Sequence, residues 1–175
     1  MTLVVAIDPG PHMGIATRLN NGTLYAQMIH NDLMSVWKYL EEAKPGVIIV
    51  ERFMTGGRIS NDGLYTVEAQ GSIARCAWGL KAEFIWQRPA DRTPFIPQAK
   101  ELLGKTGNKK IESHEVDAVA HLIRWEYFRA QELRRLSLTG AGVATPGVAV
   151  PDEQVHGGER AGEDSDAQVG DAAQG

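Results

Sequence analysis

Cysteine is almost missing from this 175-residue chain, with Cys76 the single example. That excludes an internal disulfide framework and any zinc site built from thiolates, and it makes a reducing, cytoplasmic setting the natural one. No HExxH pattern is present, which removes the commonest helix-borne zinc motif. No apolar run approaches the ~20 residues that span a bilayer, so no membrane partner is expected. The opening MTLVVAIDPG lacks a basic leader and reaches Asp8 almost at once, so it does not read as a secretory signal. The chain shows no internal repeat.

Aromatic residues are absent from residues 137–175, which hold seven acids and one base. A stretch so rich in Gly, Ala and acids cannot bury enough apolar surface to order itself, and a disordered tail is expected there. The formal net charge of −4 therefore misleads: residues 1–136 carry 17 Lys and Arg against 15 Asp and Glu. That part is long enough for one domain with a sizeable core, and its mild positive balance permits a polyanionic partner without requiring one.

What is present reads as alternating elements. TLVVAID is a strand ending at Asp8 and followed by a Pro-Gly turn. GIATRL, the turn signal NNG and the alternating TLYAQMI predict a hairpin. A helix capped by Asn31 runs through LMSVWKYLEEA and stops at Pro45-Gly46. VIIVE, apolar until its last residue, suits a strand buried on both faces. A polar loop with two arginines follows, then a long helix over about 63–82. EFIWQ predicts a fifth strand. Pro89, Pro94 and Pro97 punctuate a loop leading to a short helix near QAKELLG. After the basic loop KTGNKK comes a last helix, with Ser113 placed to cap it and Val116, Val119, Ala120 and Ile123 forming its apolar stripe. Hairpin-linked strands followed by strands alternating with helices predict an α/β domain: a mixed five-stranded sheet covered by helices on both faces.

Asp8 and Glu51 both end apolar runs at the carboxyl side, the edge where sites gather in such sheets. His114 and Asp117 are three residues apart in the last helix and project to one side. Together these four offer oxygen-rich ligands suited to Mg²⁺, with Mn²⁺ expected to substitute. Each also has an ordinary reading. Asp8 suits a turn, Glu51 a solvated strand end, and His114 and Glu115 a helix start that favours acids. His121, one turn beyond Asp117, is a rival partner that reads more readily as a packed core histidine.

AIDPG…GIATRLNNGTLY, VIIVERFMTGGR, AQGSIARCAWG and KKIESHEVDAVAHLI together resemble the RuvC family of Holliday junction resolvases, in the RNase H-like superfamily, over roughly residues 3–128. The most specific elements are the opening DPG with its glycine-bearing strand and the late H/D-x-x-D-A pattern. Compact bacteriophage members look similar to this chain. The resemblance implies an RNase H-like nuclease domain at 1–136 and an activity that nicks four-way DNA junctions in pairs. Position by position, Asp8, Glu51, His114 and Asp117 match the residues that bind two Mg²⁺ ions in the family. Arg52 departs from the Gln common there, and Phe53 and Met54 are both candidates for the family's wedge into the junction.

A nuclease must also hold phosphates. Arg52, Arg58, Lys105, Lys109 and Lys110 lie in loops flanking the acids, where contacts to the DNA backbone carry no sequence information. Two-fold symmetric junctions call for a homodimer, and the 63–82 helix, with Leu64, Val67, Gly71, Ile73 and Trp78, is a candidate for its interface. Two alternatives stay within the same fold: an endonuclease acting on branched DNA more broadly, and a non-catalytic nucleic-acid-binding module. A phosphate-cradling ATPase would need a second phosphate loop that the chain lacks.

Overall fold

The computed structural model describes residues 2–19, 21–30, 32–53, 60–104 and 113–140. The two apolar runs that end in an acid, β1 (Val4–Asp8) and β4 (Val47–Glu51), pair in parallel at the centre of a five-stranded sheet. β2 (His12–Arg18) and β3 (Leu24–His30) extend it antiparallel on one side, and β5 (Glu83–Gln87) extends it parallel on the other, giving the order β3-β2-β1-β4-β5. The hairpin turn between β2 and β3 relies on Gly22, whose φ of +85° costs glycine little. The side chain of Asn21 accepts the Thr23 N–H there at 2.9 Å.

Helices cover both faces, and the alternation of side chains along the strands decides which residues meet which helices. Val5 and Ile7 of β1, Ile15 of β2, and Ile48 and Val50 of β4 pack in one core cluster with α1 (Leu33–Ala43) and α2 (Asn61–Leu80). Val4, Ala6, Val47 and Ile49 form the other with α4 (Ile96–Gly104) and α5 (Ser113–Gly140). The expected stripe of Val116, Val119, Ala120 and Ile123 lies buried in that second core.

Several boundaries differ from expectation. The cap of α1 is Asp32, whose carboxylate accepts the Ser35 N–H at 3.0 Å. Asn31 lies outside the described residues. An ionised acceptor suits the positive end of a helix better than an amide does. Where the prolines predict a loop, the chain makes α3 (Pro89–Arg92) and a 3₁₀ turn (Thr93–Phe95) before α4. Proline in the first turn of a helix surrenders no hydrogen bond and presets the backbone, so Pro89, Pro94 and Pro97, each first or second in its element, start turns of helix instead of excluding them. Finally, α5 passes residue 136 and runs to Gly140, carried on by the good helix formers of QELRRL. Residues 141–175 lie outside the described residues.

Candidate active site

The two-residue period of the strands places the strand-terminal polar groups. Asp8 shares its face with Val4 and Ala6, Glu51 with Val47 and Ile49, and Gln87 with Ile85, so all three turn toward α5. Glu51 and Gln87 are partners in the β4–β5 register, and the β1–β4 register brings Asp8 alongside Glu51. The end of β4 is pinned from two sides. Gln70 of α2 donates to the Glu51 carbonyl at 2.7 Å, and the Arg52 N–H donates to the Gln87 carbonyl at 2.7 Å.

Helix α5 supplies the opposite wall. His114, Asp117 and His121 recur at helical spacing on the side that meets the strand ends. The Nδ1 atom of His114 lies 2.6 Å from Asp8 Oδ2. His121 is wholly buried, with Nε2 2.8 Å from Glu51 Oε2 and Nδ1 2.7 Å from the Gln87 side-chain oxygen. A carboxylate can only accept, so the His121 proton facing Glu51 sits on Nε2. The Nδ1 side of the ring faces the Gln87 side-chain amide, whose Nε2 is otherwise unpartnered. His121 is thus a core residue, as its pattern predicts, and also the group that orients Glu51.

Arg92, from α3, completes the cluster. Its Nη1 lies 2.7 Å from Glu51 Oε2 and donates to the Pro89 carbonyl at 2.9 Å. Its Nη2 donates to Asp117 Oδ2 at 3.0 Å. Its Nε stands 2.9 Å from Asp117 Oδ1, near enough for charge attraction but off the line that a hydrogen bond requires. The α3 turn that carries it is braced internally, with Asp91 accepting the Arg88 N–H at 2.9 Å. The expected basic contacts did not include Arg92, because a lone arginine among prolines carries no pattern. Gln87 was legible in principle: like Glu51, it is a polar residue ending an apolar strand.

Three carboxylates therefore face one guanidinium and two imidazoles. Burial pushes the Asp8 carboxyl above its ordinary range, with Glu51 and Asp117 adding to the effect and the His114 hydrogen bond opposing it. That same hydrogen bond raises the His114 pKa against a smaller cost of burial, and the charges of Asp8, Asp117 and Glu51 reinforce it. Burial works against the charged form of Arg92, but Asp117, Glu51 and Asp8 outweigh it and hold the guanidinium firmly protonated. Among the described residues no three His, Cys, Asp or Glu side chains stand arranged to hold an ion, and Arg92 lies between Glu51 and Asp117. In donor type, the surplus of buried carboxylate oxygen fits a hard divalent cation.

Arg52 and Phe53 leave the sheet directly after Glu51, both exposed, with Phe53 at 37%. Arg58, Lys105, Lys109, Lys110 and the alternative wedge Met54 lie outside the described residues. Ile73 is fully buried in the α1/α2 core and is removed from the candidate interface, whereas Leu64, Val67 and Trp78 face solvent. Among the described residues no helix is long and apolar enough to cross a membrane.

A mixed five-stranded sheet in this order, covered on both faces and carrying acids at the carboxyl ends of its central strands, is an RNase H-like α/β fold. The chain is similar to Thermus thermophilus RuvC in complex with a Holliday junction substrate, at a TM-score of 0.60 and 15% identity, covering 75% of this chain and 96% of that one. A second T. thermophilus RuvC structure matches at 0.55 and 17%, over 74% and 96% of the two chains. The yeast mitochondrial Holliday junction resolvase Ydc2 matches at 0.54 and 10%, over 80% and 84%. No family model matches the chain, and no curated protein matches it in sequence. At these identities the likeness is one of fold.

Proposed function

We propose that this protein is a divalent-metal-dependent endonuclease that resolves four-way DNA junctions by paired nicks. One observation carries the reading: Asp8 and Glu51, side by side at the carboxyl ends of β1 and β4, face the first turn of α5 with His114 and Asp117. Asp8, Glu51 and Asp117, with His114 at the rim, are the groups that would hold Mg²⁺ or Mn²⁺. Ions held there would supply an activated water and charge stabilisation for the leaving oxygen of a phosphodiester. The remaining chemistry belongs to the side chains. His121 fixes the Glu51 carboxylate, His114 holds a proton against Asp8, and Arg52 and Phe53, exposed directly after Glu51, would meet a phosphate and a base step.

Two sites facing opposite strands of a junction require two copies of the chain. The outer face of α2, with Trp78 83% and Leu64 52% exposed, is the apolar surface we assign to that contact. A nicking assay on four-way, three-way and linear duplex DNA, with Mg²⁺ or Mn²⁺, tests the activity. The four-way substrate is expected to be cut best, and Asp8→Asn to abolish cutting. Equal cutting of all branched forms would point to a broader branched-DNA endonuclease. Intact substrates with wild type and Asp8→Asn alike would leave a binding module.

A further inference from the structure

Every carboxylate of the site has a partner within the protein. Asp117 has both oxygens against Arg92, Glu51 shares Oε2 between Arg92 and His121, and Asp8 is bonded to His114. The Arg92 guanidinium spans Glu51 and Asp117, so it occupies the ground between the β4 acid and the α5 acid. We propose that Arg92 is a built-in counter-cation that competes with divalent ions for Glu51 and Asp117, and that loading the site requires its release. This rests on the metal-dependent reading above.

The physical argument is one of charge balance. Three acids gathered at a water-poor edge repel one another, and a fold that left them unpaired would be strongly destabilised. A planar, permanently charged fork can satisfy two carboxylates at once, which a lysine ammonium does less well. The same pairing satisfies the acids that an ion needs, so it sets a threshold for binding. The link is reciprocal, since whatever Arg92 contributes to the metal-free protein is subtracted from metal affinity. The anchorage suits release. The Arg92 side chain is 19% exposed, and the turn that carries it is tied to α5 separately, through the Asp91–Arg124 contact at 3.8 Å. The guanidinium can therefore leave the acids without α3 leaving its place.

The test measures Mn²⁺ binding to the full chain by electron paramagnetic resonance and calorimetry, alongside melting temperature with and without Mn²⁺. Arg92→Gln is expected to bind Mn²⁺ about tenfold more tightly or better, the equivalent of losing one modest ion pair. It is also expected to melt lower than wild type without metal and to gain more from Mn²⁺. Arg92→Lys, which keeps the charge but loses the fork, should fall between them and covers the case in which the glutamine variant does not fold. In Arg92→Ala, added guanidinium chloride should displace Mn²⁺, while wild type is indifferent to it at the same concentration. A folded Arg92→Gln that binds Mn²⁺ no more tightly than wild type overturns the inference. Asp8→Asn separates the two levels. If wild type binds Mn²⁺ and Asp8→Asn does not, a flat Arg92 series defeats only the counter-cation. If no variant binds Mn²⁺ in an Asp8-dependent way, the metal reading falls and the inference with it.

Discussion

A side-chain carbon added to Gly14 would lie 1.8 Å from the carbonyl oxygen of His114. Gly14 is also the residue opposite Asp8 in the β1–β2 pairing. The bare backbone of β2 is therefore the seat on which the first turn of α5 rests, and this close approach brings His114 onto Asp8. Gly14→Ala must push α5 off the sheet, since the atom it meets is backbone and not the end of a flexible side chain. The expected outcome is a loss of about 1–3 kcal/mol in urea unfolding, typical of overpacking, with loss of Mn²⁺ binding and of any cutting. An alanine variant with unchanged stability and unchanged Mn²⁺ affinity would show that this contact does not position the site.

The Asp8–His114 pair also predicts how stability depends on pH. The Asp8 hydrogen bond raises the His114 pKa in the fold above its ordinary value of about 6.5. Its contribution is therefore complete below that pH and is lost as pH rises through the elevated folded value. Asp8 is raised too, so it acts with the same sign, starting from about 3.9. Glu51, Asp117 and Arg92 face the pair, and the His12 ring lies 6.2 Å from that of His114. The metal-free protein should thus melt lower at mildly alkaline pH than at pH 6, and His114→Gln should flatten that slope. A His114→Gln profile that parallels wild type across this window would refute the assignment.

His121 is expected to act through Glu51. His121→Ala removes a fully buried ring and leaves Gln87 without a partner, costing about 2–4 kcal/mol of stability. His121→Gln keeps a donor for Glu51 and should recover much of the Mn²⁺ affinity that the alanine variant loses. Equal affinities for the two variants would reduce His121 to core packing.

Trp78→Glu places a charge on the exposed face of α2, where it disturbs no core contact, so the monomer fold should change by no more than about 0.5 kcal/mol. Sedimentation should report a dimer for wild type and a monomer for the variant. A wild type that sediments as a monomer at every concentration would count against paired nicking.

Much of this architecture is legible from the chain because its signals are strong and local. Asp8 and Glu51 each close an unbroken apolar strand, and the parity of those strands turns both toward one side. The spacing of His114 and Asp117 at the opening of a patterned helix does the same for α5. Arg92 is hidden for the opposite reason. Its role is made by tertiary approach, and its prolines look like loop punctuation, although a proline followed two residues later by an acid is also the signature of a helix start. His121 shows the limit of reading burial as inertness, because a histidine deep in a core must still satisfy two ring nitrogens, and here one of them finds Glu51. Arg58, Lys105, Lys109 and Lys110 lie outside the described residues.

The alternation that turns Asp8 and Glu51 to the same side carries an engineering consequence. Deleting or inserting one residue within VVAI or VIIV would rotate the terminal acid to the opposite layer, burying a charge among Ile7, Val50 and Ile73 and dismantling chemistry and core in one event. Library designs that seek new substrates should therefore leave the lengths of these two strands untouched.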